Sequence, residues 1–135
     1  SRCCHVVLVL AKDEWVSDFR AARAEHVVGV PARVDLDAFA EAVADARLAC
    51  FSAVTWTHGT QLPVADLVDI AHEAGAFALV DAVQVPGQLP MDVGGWEADA
   101  VAAAGHEWLF GLWGGGFLYI DRQAADSLLP TRVGY

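Results

Sequence analysis

Lysine is almost absent from this chain: of 135 residues, Lys12 alone carries a primary side-chain amine. Any chemistry that needs an active-site lysine therefore has one candidate. Basic charge is scarce in general. Eight cations, seven of them arginine, face eighteen carboxylates, for a formal charge of -10 and a pI near 4.6. That balance argues against binding nucleic acid or an anionic membrane through a basic surface. An acidic, lysine-poor composition suits a high-salt cytoplasm, and biased base composition in the gene produces the same signature. Cysteine is sparse as well. Cys3, Cys4 and Cys50 make an odd number without C-x-x-C spacing, so neither a disulfide framework nor a zinc knuckle is indicated, and a reducing cytoplasm is the expected setting. Vicinal Cys3 and Cys4 beside His5, at a strand start, cannot all face one ion. The uncharged stretch 108–120 is broken by four glycines and falls short of the roughly 20 apolar residues of a membrane helix. Ser1-Arg2-Cys3-Cys4-His5 leads straight into an apolar strand with no signal-length apolar region, the pattern of a chain that starts in mid-domain.

What the sequence has in quantity is apolar side chains, 56% of the total, enough for one compact domain with a sizeable core. Strand-length apolar runs alternate with helix-period segments from end to end, which predicts an α/β domain with a mainly parallel sheet of about six or seven strands. Residues 5–10, 27–30, 48–55, 76–80, 98–103 and 117–120 read as strands. Residues 13–24 read as a helix with Trp15, Phe19 and Ala22 on one stripe. Asp35 is placed to cap a second helix with Leu36, Phe39, Ala40 and Val43 on one face. Pro63 sits near the first turn of a third, carrying Val64, Leu67, Val68 and Ala71 and ended by Gly75. A last helical turn or two is expected within 121–129.

The candidates for chemistry are Asp81, Gln84, His106 with Glu107, and the polar turn around His58. Ligands bind at the carboxyl ends of parallel strands, and Asp81 closes the apolar run 76–80 at such an end. Read singly, each has a plain structural account: Asp81 as a cap for the segment that follows, Gln84 as a solvated loop residue. His106-Glu107 opens like the zincin motif H-E-x-x-H, but Phe110 stands where the second histidine is required. Gly114, Gly115 and Gly116 lead into a strand rather than a helix and suit a tight turn or close backbone approach, not a phosphate loop.

Taken together, Asp81-Ala82-Val83-Gln84 followed by Gly105-His106-Glu107-Trp108-Leu109, within the stretches 62–93 and 98–111, closely resemble the class V aminotransferase family. That family includes cysteine desulfurases, selenocysteine lyases and isopenicillin-N-epimerase-like proteins. The resemblance implies a three-layer α/β fold with a mainly parallel sheet, the central part of the major domain of fold type I pyridoxal-phosphate enzymes. Residues 1–135 would be one partial major domain, without the segment that binds the cofactor phosphate and without the small C-terminal domain. Asp81 would pair with the pyridine nitrogen of pyridoxal phosphate, Gln84 would hydrogen-bond its phenolic oxygen, and His106 would stand beside it. Glu107 occupies the family's Schiff-base lysine position, and a carboxylate can neither form an imine nor shuttle the α-proton as an amine does. Lys12 matches no catalytic position. Leu112 stands where relatives often carry proline.

The lineage implied is transamination, elimination or desulfuration of a small amino acid by a cytoplasmic homodimer. For this chain the expectation is an inactive protein whose binding of pyridoxal phosphate is in doubt. The alternatives are a non-catalytic remnant or partner-binding pseudoenzyme, and a metal or hydrolase site on Asp81, His106 and Glu107. With the rest of the family fold absent, Trp96, Trp108, Phe110 and Trp113 are expected to form an exposed apolar patch that drives self-association.

Overall fold

A computed structural model of the chain describes residues 5–11, 25–27, 34–56 and 59–129. The helix expected over 13–24, Lys12, Cys3, Cys4 and His58 lie outside the described residues. Strands β1 (His5–Ala11), β2 (Glu25–Val27), β3 (Ala46–Ser52), β4 (Phe77–Asp81), β5 (Ala100–Ala104) and β6 (Gly116–Ile120) form one six-stranded sheet in the order β2-β1-β3-β4-β5-β6. Helices α1 (Leu36–Val43), α2 (Val64–Glu73), α3 (Val93–Trp96) and α4 (Arg122–Ser127) alternate with them.

The domain is α/β, and its sheet is mixed. The centre, β3-β4-β5, is parallel; β1 runs antiparallel to both β2 and β3, and β6 runs antiparallel to β5. Connection length explains β6. The loop joining it to β5 contains no helix, and a parallel return needs a crossover of a dozen or more residues, so the chain doubles back.

Local sequence accounts for the helices. The Asp35 carboxylate accepts a bond from the Ala38 amide at 3.1 Å and starts α1, whose Phe39 and Val43 turn into the core. Helix α2 buries Val64, Leu67, Val68 and Ala71, a single stripe at helical spacing. Gly75, at φ +74°, then takes the left-handed conformation that ends the helix. Both helices pack on the sheet face formed by Ala49, Phe51, Ala78, Val80, Val101 and Ala103, all buried. Each Leu, Val or Phe fully buried there contributes about 1.5–3 kcal/mol. Side chains alternate along a strand, so Cys50, Ser52, Leu79 and Asp81 fall on the opposite face, where they are half-buried.

Trp96 departs from expectation. Asp92 caps α3 through the Gly95 amide at 2.9 Å, and this single turn folds Trp96 against the core instead of leaving it on the surface. Phe110 and Trp113 are exposed as expected, joined by Leu112 and by every residue of β6.

Candidate functional site

The site begins where β3 and β4 end side by side, Ser52 being the register partner of Asp81. Both side chains fall on the face away from α1 and α2. The Ser52 hydroxyl donates to Asp81 Oδ2 at 3.3 Å, and the Val83 amide donates to Asp81 Oδ1 at 3.0 Å. Asp81 therefore does cap the turn after β4, as its plain structural reading requires. A carboxylate has about four lone-pair positions, so each oxygen keeps acceptor capacity toward the adjoining space. The charge of Asp81 is felt on its own strand face: burial and, second to it, the Asp81 carboxylate push the Cys50 thiol above its ordinary value.

Strand β5 delivers the second half. It ends at Ala104, and His106 and Glu107 follow at the carboxyl end of the parallel centre. The loop 105–115 is closed by its own backbone: the Gly105 amide donates to the Gly115 carbonyl at 2.9 Å and the Gly111 amide to the Gly105 carbonyl at 2.7 Å. Closure brings Trp113 back over His106, their rings stacked 4.2 Å apart at 20°. His106 Nε2 lies 3.7 Å from Glu107 Oε1, beyond hydrogen-bond length. The Trp108 indole N–H donates to Gln84 Oε1 at 2.8 Å and ties this loop to the segment after β4.

One cleft of about 300 Å³ is lined by Ser52, Val54, Trp56, Asp81, Gln84 and Glu107, with Val83 completing its wall. Asp81, Gln84 and Glu107, which stand far apart in the sequence, are thus brought to one space. His106 borders it through Glu107 and is not among the lining residues. Neither Trp56 nor Ser52 stood out in the sequence; a hydroxyl and an indole just beyond a strand carry no motif. Among the described residues no three His, Cys, Asp or Glu side chains converge as metal ligands, so Asp81, His106 and Glu107 do not form a donor set. No helix among them is long and apolar enough to cross a membrane. A second cavity, about 360 Å³, lies among His72, Asp99, Tyr119 and Asp121, at the end of the parallel strands away from Asp81. Its Asp99 carboxylate is taken up by His72 Nε2 at 2.9 Å and the Ala78 amide at 2.6 Å.

A sheet with a parallel centre, and an acidic residue at the carboxyl end of one central strand facing a loop from the next, is the core of the fold type I transferases. The model of the family "Aminotransferase class-V" matches residues 22–134, and the chain belongs to that family. It is 33% identical over 118 residues to isopenicillin N epimerase of Streptomyces clavuligerus, covering 87% of this chain and 30% of that protein. It is 37% identical over 119 residues to a cysteine desulfurase of Gluconacetobacter diazotrophicus, covering 84% of this chain and 29% of that one. Among solved structures, the apo cysteine desulfurase of Thermococcus onnurineus NA1 superposes with a TM-score of 0.73 at 31% identity, over 82% of this chain and 28% of that chain. The chain thus spans less than a third of the length of these relatives.

The family uses pyridoxal phosphate, so its fit can be tested on the cleft. A ring nitrogen that must stay protonated needs an anionic acceptor, and Asp81 is one. Covalent attachment of the aldehyde needs an amine, and no lysine stands among the described residues lining the cleft. A phosphate needs donors or positive charge, whereas the ionisable groups among the described residues lining this cleft are two carboxylates. The residues present fit the ring nitrogen and do not fit a covalently held, phosphorylated aldehyde.

Proposed function

We propose that this chain is a non-catalytic member of the class V aminotransferase family, retaining the sheet and the Asp81 cleft of its pyridoxal-phosphate-dependent lineage without its covalent chemistry. The observation that carries this reading is Glu107, which lines the same cleft as Asp81 at the position where the family's motif places the imine-forming lysine. The amino-acid transamination, elimination or desulfuration of the relatives requires an amine both to hold the cofactor and to move the α-proton. A carboxylate at that place does neither. What Asp81, Gln84 and Glu107 do is hold and orient a bound molecule.

The same reading assigns the exposed Phe110, Leu112, Trp113 and β6 to contact with a partner. A second copy in a cytoplasmic homodimer is the partner proposed.

The deciding experiment adds pyridoxal phosphate, reduces with borohydride and maps adducts by mass spectrometry. The expected result is an unlabelled chain with no aminotransferase, desulfurase or lyase turnover. Glu107→Lys should gain weak labelling at that position. A borohydride-stable adduct at Lys12 of the unmutated chain would overturn the proposal.

A further inference from the structure

The cleft that rejects a phosphorylated aldehyde has a composition that favours the opposite charge. Its charged acceptors are the carboxylates of Glu107 and of Asp81, which keeps acceptor capacity beside its bonds from Ser52 and Val83, while the neutral carbonyl oxygen of Gln84 accepts the Trp108 indole at 2.8 Å. Among the described residues no lysine or arginine lines it to compensate them. On one side stands Trp56, a residue 80% exposed that lines the open cleft. Val54 and Val83 complete an apolar wall. The negative potential extends into the protein, since Asp81 contributes to raising the Cys50 thiol on the neighbouring strand. Carboxylates beside an open indole face are the elements of a site for a cation with a flat apolar body. The charge is met by the carboxylates, and the ring face adds cation–π attraction and apolar contact. The volume of about 300 Å³ stands at the small end of ligand pockets.

We propose that the Asp81–Glu107 cleft binds a small organic cation, an amidinium or ammonium carried on a flat apolar group. This rests on the non-catalytic reading, since a lysine at position 107 would cancel the charge that attracts such a ligand. Metal ions are not the occupant proposed, because two carboxylates without a converging third donor make a poor cage for a bare ion, whereas an amidinium fork matches a carboxylate edge.

The test titrates the folded chain with benzamidine, followed by ligand-detected NMR and calorimetry, with benzamide as the neutral isostere. Benzamidine should bind saturably and benzamide at least about tenfold more weakly. Glu107→Gln should weaken benzamidine by about tenfold, and Trp56→Ala by about fivefold. Glu107 and Trp56 are partly or largely exposed, so these variants should keep the wild-type circular dichroism. Asp66→Asn with Asp69→Asn, on the exposed side of α2, removes two carboxylates remote from the cleft and should leave binding unchanged. Three results would each overturn the site: equal binding of benzamide, equal loss in the α2 variant, or no saturable binding. No binding together with no borohydride adduct removes the cation site alone. An adduct at Lys12 removes the non-catalytic reading and the ground for this site with it.

Discussion

Asp99 and His72 meet at 2.9 Å beside the start of the parallel centre, and the same Asp99 oxygen accepts the Ala78 amide at 2.6 Å. One carboxylate thereby ties the end of α2 to β4 from the residue before β5. Asp99→Ala leaves a part-buried amide without its partner, which costs about 1–3 kcal/mol. An unfolding free energy lowered by that amount, read as a lower urea midpoint with an unchanged slope, is expected. His72 is 40% exposed, and its replacement by Gln should cost less than about 1 kcal/mol.

Cys50 supplies a pH-dependent prediction. Burial first and the Asp81 carboxylate second raise its thiol above the ordinary value. An acid whose folded pKa lies above its unfolded pKa contributes stability in full below the unfolded value, and this is lost as pH rises toward the folded one. The chain should therefore lose stability through the alkaline thiol range, and Cys50→Ser should flatten that part of the curve. Asp81→Asn removes the smaller cause, so iodoacetamide should alkylate Cys50 faster in that variant at pH 8.5, read by peptide mapping.

Gly87 lies at φ +91°, and a Cβ placed there would strike the Trp108 carbonyl oxygen. Gly87→Ala combines left-handed strain with a backbone clash and is expected to cost about 2–3 kcal/mol. Because Trp108 also holds Gln84, the variant should shift the Gln84 side-chain amide resonances, a change that simple destabilisation does not produce.

Among the described residues strand β6 is an edge of the sheet, and Phe117, Leu118, Tyr119 and Ile120 are all between 37% and 60% exposed. An apolar edge without a charge in it invites pairing. Sedimentation at micromolar concentration should show self-association, and Leu118→Lys should shift the distribution toward monomer. A monodisperse unmutated monomer would remove the dimer proposal.

Most of the architecture was legible where the signal was local. The Asp35 cap with Leu36, Phe39 and Val43, and the stripe of Val64, Leu67, Val68 and Ala71 ended by Gly75, rest on helical period and terminal chemistry contained within a dozen residues. Asp81 could be read from its place at a strand end, whereas Gln84 and Glu107 were joined to it only by the resemblance of D-x-x-Q and G-H-x-W-L to the family's motifs. Helix α3 escaped because Gly94 and Gly95 weaken the expectation of a helix, although Asp92 caps the turn; Trp96, expected on an uncovered apolar surface, is folded by this turn against the core. The direction of β6 and the stack of Trp113 on His106 both depend on how the loop 105–115 folds back, which no period encodes. Nor does an apolar run such as 117–120 reveal whether anything covers it. Trp56 carried no pattern at all; only the shape of the cleft singles it out.

The backbone bonds that close the loop 105–115 on itself also separate inheritance of shape from inheritance of chemistry. The loop keeps its course through the amides and carbonyls of glycines, and the Glu107 side chain, 37% exposed, lies 3.7 Å from its neighbour His106. Exchanging that exposed side chain should therefore change the scaffold's stability by no more than about 0.5 kcal/mol. On the reading proposed above, a lysine at this place could give way to a carboxylate in one step while the loop kept its course.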